Sequence, residues 1–204
     1  MASKHQLFFN LVLICTTLLP ISMAGDPDIL TDFIIPPNAI VDGSLFTFTG
    51  MRSLVNSPIP SNFTVLKASM VQFPALEGQS VSYAVLEFPN DSVNPPHTHP
   101  RASELLFLLG GSLEVGFVDT TNKLYTQTLE FGDMFVFPKG LVHFQYNNGG
   151  NGPALALSAF GSANAGTVSV PTTVFNTSIF DGILAKSFKT DIATVEKLKA
   201  GLAH

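Results

Sequence analysis

An all-β domain, one antiparallel sandwich or barrel with an irregular N-terminal arm and a helical tail, is the fold class this chain predicts. Three observations carry it. Short apolar, β-branched and aromatic runs recur from Val65 to Phe160. Turn residues separate them at short intervals, at Gly110-Gly111, Asp119–Asn122, Gly132-Asp133, Lys139-Gly140 and Asn148–Gly152. Many short strands with dense turns build sandwiches and barrels. Near the C-terminus the pattern changes to a helical spacing, with apolar residues at Ile192, Val195, Leu198 and Leu202.

Taken in order, residues 1–24 read as a signal peptide. A basic start at Lys4 and His5 precedes an apolar run from Leu7 to Ile21, and small residues follow at Ser22 and Ala24. Cleavage after Ala24 starts the mature chain at Gly25. A membrane anchor is the alternative, but the run is shorter than the ~20 residues a spanning helix needs, and Asn10 interrupts it. Residues 25–204 then suit one domain with a sizeable core. Residues 25–60 form an irregular arm, because Pro27, Pro36, Pro37, Pro58 and Pro60 interrupt regular elements. Phe33, Ile34 and Ile35 are its expected buried anchor.

The β region spans about 61–170. Its expected strands are Val65–Phe73, Val81–Phe88, Glu104–Leu109, Ser112–Val118, Leu124–Phe131, Met134–Phe137, Val142–Asn147 and Ala154–Phe160. A helical tail covers about 178–204, with a short helix over Ile179–Phe188 and a second that Thr190 or Asp191 caps.

Composition narrows the function. The net charge is −5 and charged residues are 12% of the chain, with no basic block. Nucleic acid and anionic membranes are therefore poor partners. The single cysteine is Cys15, inside the leader, so the mature chain has no disulfide. Sequons begin at Asn62, Asn90 and Asn176, plausible N-glycosylation sites in a secreted chain.

The chemistry gathers around histidine. His97 and His99 are two residues apart, so on an extended strand they point to one side. Pro95, Pro96 and Pro100 stiffen the backbone around them. Glu104 opens the next apolar run, and His143 sits on a later strand where it can close the site. Three imidazoles and one carboxylate suit manganese, iron, nickel, copper or zinc; calcium prefers oxygen ligands throughout. Such a set leaves coordination positions open for water, an oxygen species or a small acid, as in a reactive site. For a bare H-x-H, ordinary surface histidines would be the better reading. The surrounding residues change that balance.

Asn94-Pro-Pro-His-Thr-His-Pro-Arg-Ala-Ser-Glu, running on to Gly111, resembles the first cupin motif. Gly132, Pro138, Gly140, His143 and Asn147 resemble the second. The wording is closer still to plant germin-like proteins: "NPPHTHPRASE", "NKLY", "FPKGLVHFQ" and the opening "DPDILTDF". This resemblance implies a single-domain jelly-roll β-barrel that holds manganese on His97, His99, Glu104 and His143. It also implies a secreted, apoplastic cell-wall glycoprotein assembled as a homo-hexamer, a trimer of dimers with interlocked C-terminal helices.

The chain departs from the family pattern in three places. Asp91, followed by Ser92, stands where the first motif begins with glycine. The N-terminal cysteine pair is missing, with Ile34 at the first position. Oxalate-degrading germins orient substrate with two asparagines; Asn94 matches one, but Ala84 stands at the other. A dicarboxylate would lose a hydrogen bond of roughly 1.5–3 kcal/mol there.

The resemblance thus favours a manganese-dependent superoxide dismutase acting on small oxygen species, with oxalate oxidation disfavoured by Ala84. A non-enzymatic binding or receptor-like protein, in contact with cell-wall components and with a structural metal, is the competing class. Of the remaining residues, Gly111, Gly132 and Gly140 are expected at tight turns, Pro138 at a strand end, and Asn147 in local backbone hydrogen bonds. Arg101 is expected to be a solvated charge.

Overall fold

The computed structural model describes residues 25–55 and 57–203. The predicted leader, Cys15 and His204 lie outside the described residues.

Ten strands form two five-stranded antiparallel sheets among the described residues. They are β1 (Thr64–Ala68), β2 (Ser82–Phe88), β3 (Ser92–Thr98), β4 (Glu104–Gly110), β5 (Ser112–Val118), β6 (Leu124–Glu130), β7 (Met134–Phe137), β8 (Val142–Asn147), β9 (Ala154–Phe160) and β10 (Val168–Ser169). One sheet has the order β1-β2-β9-β4-β7 and the other β10-β3-β8-β5-β6. Consecutive strands repeatedly change sheet, which is the jelly-roll arrangement.

Alternation decides what faces the interior. On β4, Glu104, Leu106 and Leu108 are buried between more exposed neighbours. On β2, Ser82, Ala84, Leu86 and Phe88 share the inner face. Residues of both sheets, including Leu113 and Val115 from β5 and Phe137 from β7, join these in one core. Strand β8 reverses the usual pattern. His143, Gln145 and Asn147 are buried, while Val142, Phe144 and Tyr146 are only half-buried.

Three strands differ from expectation: β1 is shorter, and β3 and the two-residue β10 are not among the expected runs. The predicted run Val65–Phe73 stops at Ala68, where the Ser69 hydroxyl turns the chain by bonding Gln72. Strand β3 was not among the expected apolar runs, because Pro95 and Pro96 disguise it. They sit where the β3–β8 register shifts, between Asn94 and His97. At such a bulge a missing N–H breaks no ladder bond.

Gly111 makes the β4–β5 turn at φ 77°, and an added Cβ would lie 2.5 Å from the Pro153 carbonyl oxygen. Pro138 follows the end of β7, and Asn147 donates to the Phe88, Pro89 and Gly152 carbonyls. Both match expectation.

The arm is held differently from the expected anchor. Ile35 is 51% exposed, and Phe33 and Ile34 are only half-buried. Asp26 ties the arm down instead, accepting from the Ser162 hydroxyl and the Ala163 N–H at 2.6 Å each. Phe33 also meets Phe46 edge-on, and Phe48 stacks on Phe73.

Three helices follow the barrel: α1 (Val170–Phe175), α2 (Asp181–Phe188) and α3 (Ile192–Leu202). Helix α1 was not expected; Pro171 in its first turn suits a helix start. Asp191, not Thr190, caps α3 by accepting from the Thr194 N–H at 2.8 Å. Val195 is buried against Leu184 and Ala185, whereas Ile192 and Leu198 face outward. Among the described residues no helix is long and apolar enough to cross a membrane.

Candidate metal centre

The β3 bulge builds one side of the site. Asn94 pairs with Gln145 and His97 with His143, so Pro95 and Pro96 on β3 stand opposite the single residue Phe144 on β8. The extra residue changes the parity of the strand. Asn94 and His97, an odd number of positions apart, both turn inward. His99 follows just past β3, and Glu104 opens β4 on the opposite sheet. The four side chains are buried, and their ligand atoms lie within 4.8 Å of one another. The structure thus brings together all the residues read from the motifs as a metal set.

Backbone carbonyls orient the rings. His97 Nδ1 lies 2.8 Å from the Pro95 oxygen, His143 Nδ1 lies 2.8 Å from the Leu141 oxygen, and His99 Nδ1 contacts the Gly166 oxygen. A proton on each Nδ1 leaves Nε2 as a lone-pair donor, the usual arrangement of a metal-binding histidine. Phe137 stacks on His143 at 4.5 Å, and Phe160 meets His99 edge-on at 4.8 Å.

The donor set calls for a cation. His99 and His143 place Nε2 at 3.0 Å and 3.1 Å from Glu104 Oε2, while their Nδ1 atoms also face oxygens. A neutral imidazole has one N–H and cannot satisfy both contacts. Two buried imidazoliums would be expensive. A metal ion bound by His97, His99, Glu104 and His143 would remove the conflict.

Charge states agree. Burial, reinforced by the neighbouring His143, pulls His97 down to about 4, so it is neutral near pH 7. Burial acts to raise Glu104, but contacts from His143 and His99 outweigh it and hold the carboxyl at about 2. Neutral imidazole and ionised carboxylate are the forms that bind metal.

Two supporting residues escaped the sequence reading. Ser158 donates to Glu104 Oε1 at 2.5 Å, and Gln145 Nε2 approaches the same oxygen at 3.4 Å. Gln145 was findable, because it lies two positions after His143 and shares its face. Ser158 was not, since only the pairing of β9 with β4 brings it near Glu104. Asn94 does line the site, but its amide donates to Gln145 Oε1 at 2.7 Å. Arg101 is more than a solvated charge: its guanidinium holds the Asn164 backbone and side-chain oxygens. Asn62, Asn90 and Asn176 lie apart from the site, on the exposed surface.

A cavity of about 250 Å³ opens onto His97, His99 and Glu104. Ala84, Leu86, Asn94 and Phe160 line it, together with the exposed Tyr83 and Lys67.

Comparisons with known proteins agree with this architecture. Residues 54–196 match the cupin family. Germin-like protein 9-3 of Oryza sativa subsp. japonica is 65% identical over 188 residues, covering 88% of this chain and 87% of that protein. Germin-like protein 9-1 of the same organism is 52% identical over 206 residues, covering 98% and 82%. A solved oxalate oxidase superposes with a TM-score of 0.76 at 31% identity, covering 87% of this chain and 98% of that one. With the jelly roll and its buried histidine–glutamate cluster, these identities place the chain in the plant germin-like family of the cupin superfamily.

Proposed function

We propose that this chain is a secreted manganese protein of the plant apoplast whose centre dismutates superoxide. The observation that carries the reading is the convergence of three imidazoles and one carboxylate, within 4.8 Å, beneath a cavity open to solvent. His97, His99, Glu104 and His143 would hold the ion. Bound manganese supplies one-electron exchange, so that two superoxide anions and two protons become dioxygen and hydrogen peroxide.

The chain's own residues prepare that chemistry. Carbonyls of Pro95, Leu141 and Gly166 present the imidazoles in one tautomer. Ser158 and Gln145 steady the carboxylate that offsets part of the ion's charge. Phe137 and Phe160 fill the space beside the rings. Several polar side chains of the cavity wall are already engaged, Ser69 by Gln72, Ser82 by Ser162 and Asn94 by Gln145, which suits a small diatomic ligand. The choice of manganese follows from the family resemblance, since the ligand types alone also suit iron.

Secretion follows from the leader read at residues 1–24, and glycans fit the exposed Asn62, Asn90 and Asn176. Residues 25–204 act as one domain. Outward-facing Ile183, Phe188, Ile192 and Leu198 on α2 and α3 suit burial against further copies in a hexamer.

Oxalate oxidation is the second reading, favoured by the likeness to oxalate oxidase and by Asn94. Ala84 opposes it, because it supplies no donor to a second carboxylate. Elemental analysis of the secreted protein, with dismutation assayed before and after chelation, tests the first reading. About one manganese per chain and activity that leaves and returns with the metal are expected. Manganese without activity would defeat the enzymatic part, and no bound metal would defeat the site. Peroxide release on adding oxalate, increased by Ala84→Asn, would favour the second reading.

A further inference from the structure

One charge in the cavity wall has no part in holding a metal. Lys67 lies on β1, an edge strand of its sheet. Strand alternation turns Val65, Lys67 and then Ser69 toward the cavity. Lys67 stands directly opposite Ala84 on β2, and Ala84 opposite Ser158 on β9. A single cross-strand row therefore runs from an exposed ammonium to the hydroxyl that holds Glu104. The short side chain of Ala84 leaves that path open.

Lys67 is uncommitted. Among the described residues it forms no ion pair, and it is the one lysine or arginine lining the cavity. Arg101 is near but bound to Asn164. The other ionisable groups of the lining are His97, His99, Glu104 and Tyr83. A chain of net charge −5 repels anions at a distance, so a cation at the cavity mouth has a large local effect.

We infer that Lys67 draws a small singly charged oxyanion into this cavity and holds it at the mouth. The substrate class is then monoanions such as superoxide or a one-carbon carboxylate, not dicarboxylates. Ala84 offers no donor to a second carboxylate, and the amide of Asn94 is engaged by Gln145. The superoxide arm rests on the metal reading above; the carboxylate arm does not require turnover.

The test uses manganese-loaded full-length secreted protein, with metal content measured for every variant. Two quantities are compared among wild type, Lys67→Arg and Lys67→Glu. They are the superoxide rate constant from about 0.01 M to about 1 M ionic strength, which shortens screening from about 30 Å to about 3 Å, and the calorimetric dissociation constant for formate. Lys67→Glu should lower the low-salt rate constant and weaken formate binding, each on the order of tenfold. The rate difference should close as salt rises, and Lys67→Arg should behave as wild type. Loss of formate binding in Lys67→Glu by a protein that does not dismutate superoxide supports Lys67 and defeats only the dismutase reading. Equal salt profiles and formate affinities in wild type and Lys67→Glu overturn the inference, as does a metal-loaded wild type that binds no formate.

Discussion

On β4, Leu106 and Leu108 follow Glu104 along one inner face, and the three are equally hidden, at 0%, 0% and 2% exposure. Toward Leu108 the barrel interior is filled by Leu86, Phe88, Leu113 and Ala156 in close contact. Toward Glu104 the same sheets carry His143, Gln145 and Ser158, each with hydrogen-bond partners. The apolar end supplies cohesion by excluding water. The polar end relies on that rigid frame to hold groups that would otherwise be costly to bury. One barrel therefore separates stability from chemistry along the axis of its strands.

The largest expected effect breaks the apolar end alone. Phe88 is fully buried and packs on Phe63 at 4.7 Å. Phe88→Ala should destabilise the fold by about 3–5 kcal/mol. Thermal unfolding would then shift by roughly 10 °C, while metal per folded chain stays unchanged. A variant that folds normally but loses its metal would show that the two ends are not separable.

Acid should act on the polar end. In metal-free protein His97 titrates near 4 against an ordinary 6.5, so the unfolded chain takes up its proton first as pH falls. The stability it contributes is complete above about 6.5 and is lost toward 4, on the order of 3 kcal/mol. Glu104, held at about 2 against an ordinary 4.5, adds a second loss of the same sign between those values. Denaturant midpoints of chelated protein between pH 7 and 3 would follow this course. A midpoint independent of pH would mean that the buried imidazole is not what acid attacks.

The smallest effect sharpens the division. Ser158→Ala removes the 2.5 Å donor to Glu104 and adds no bulk. Metal affinity, measured by competition with a chelator, should fall about ten- to a hundredfold. The melting temperature should move less than in Phe88→Ala. Unchanged affinity would reassign Ser158 to packing.

Much of this was readable along the chain. Alternating runs and turn residues marked eight of the ten strands, and Thr190 or Asp191 marked the start of α3, a choice the structure settles on Asp191. His97 and His99 stand close in sequence, and Glu104 and His143 open or occupy apolar runs, so the ligand set could be drawn from motif spacing. The anchor of the arm is not legible, because apolar character at Ile35 says nothing about which neighbour covers it. The hold of Asp26 on Ser162 and Ala163 crosses most of the chain and leaves no local trace.

The residue types able to bind a metal, the strand-rich fold class, the acidic balance and the leader-like start are legible along the chain. Those depend on side-chain chemistry and short-range periodicity. Only the folded chain reveals that β3 is a bulged strand turning Asn94 and His97 inward together. Only it showed that β8 buries its polar face, that Ser158 supports Glu104, and that Lys67 faces the cavity across Ala84. Each of these depends on register between distant strands, and a shift of one residue exchanges the two faces of a strand.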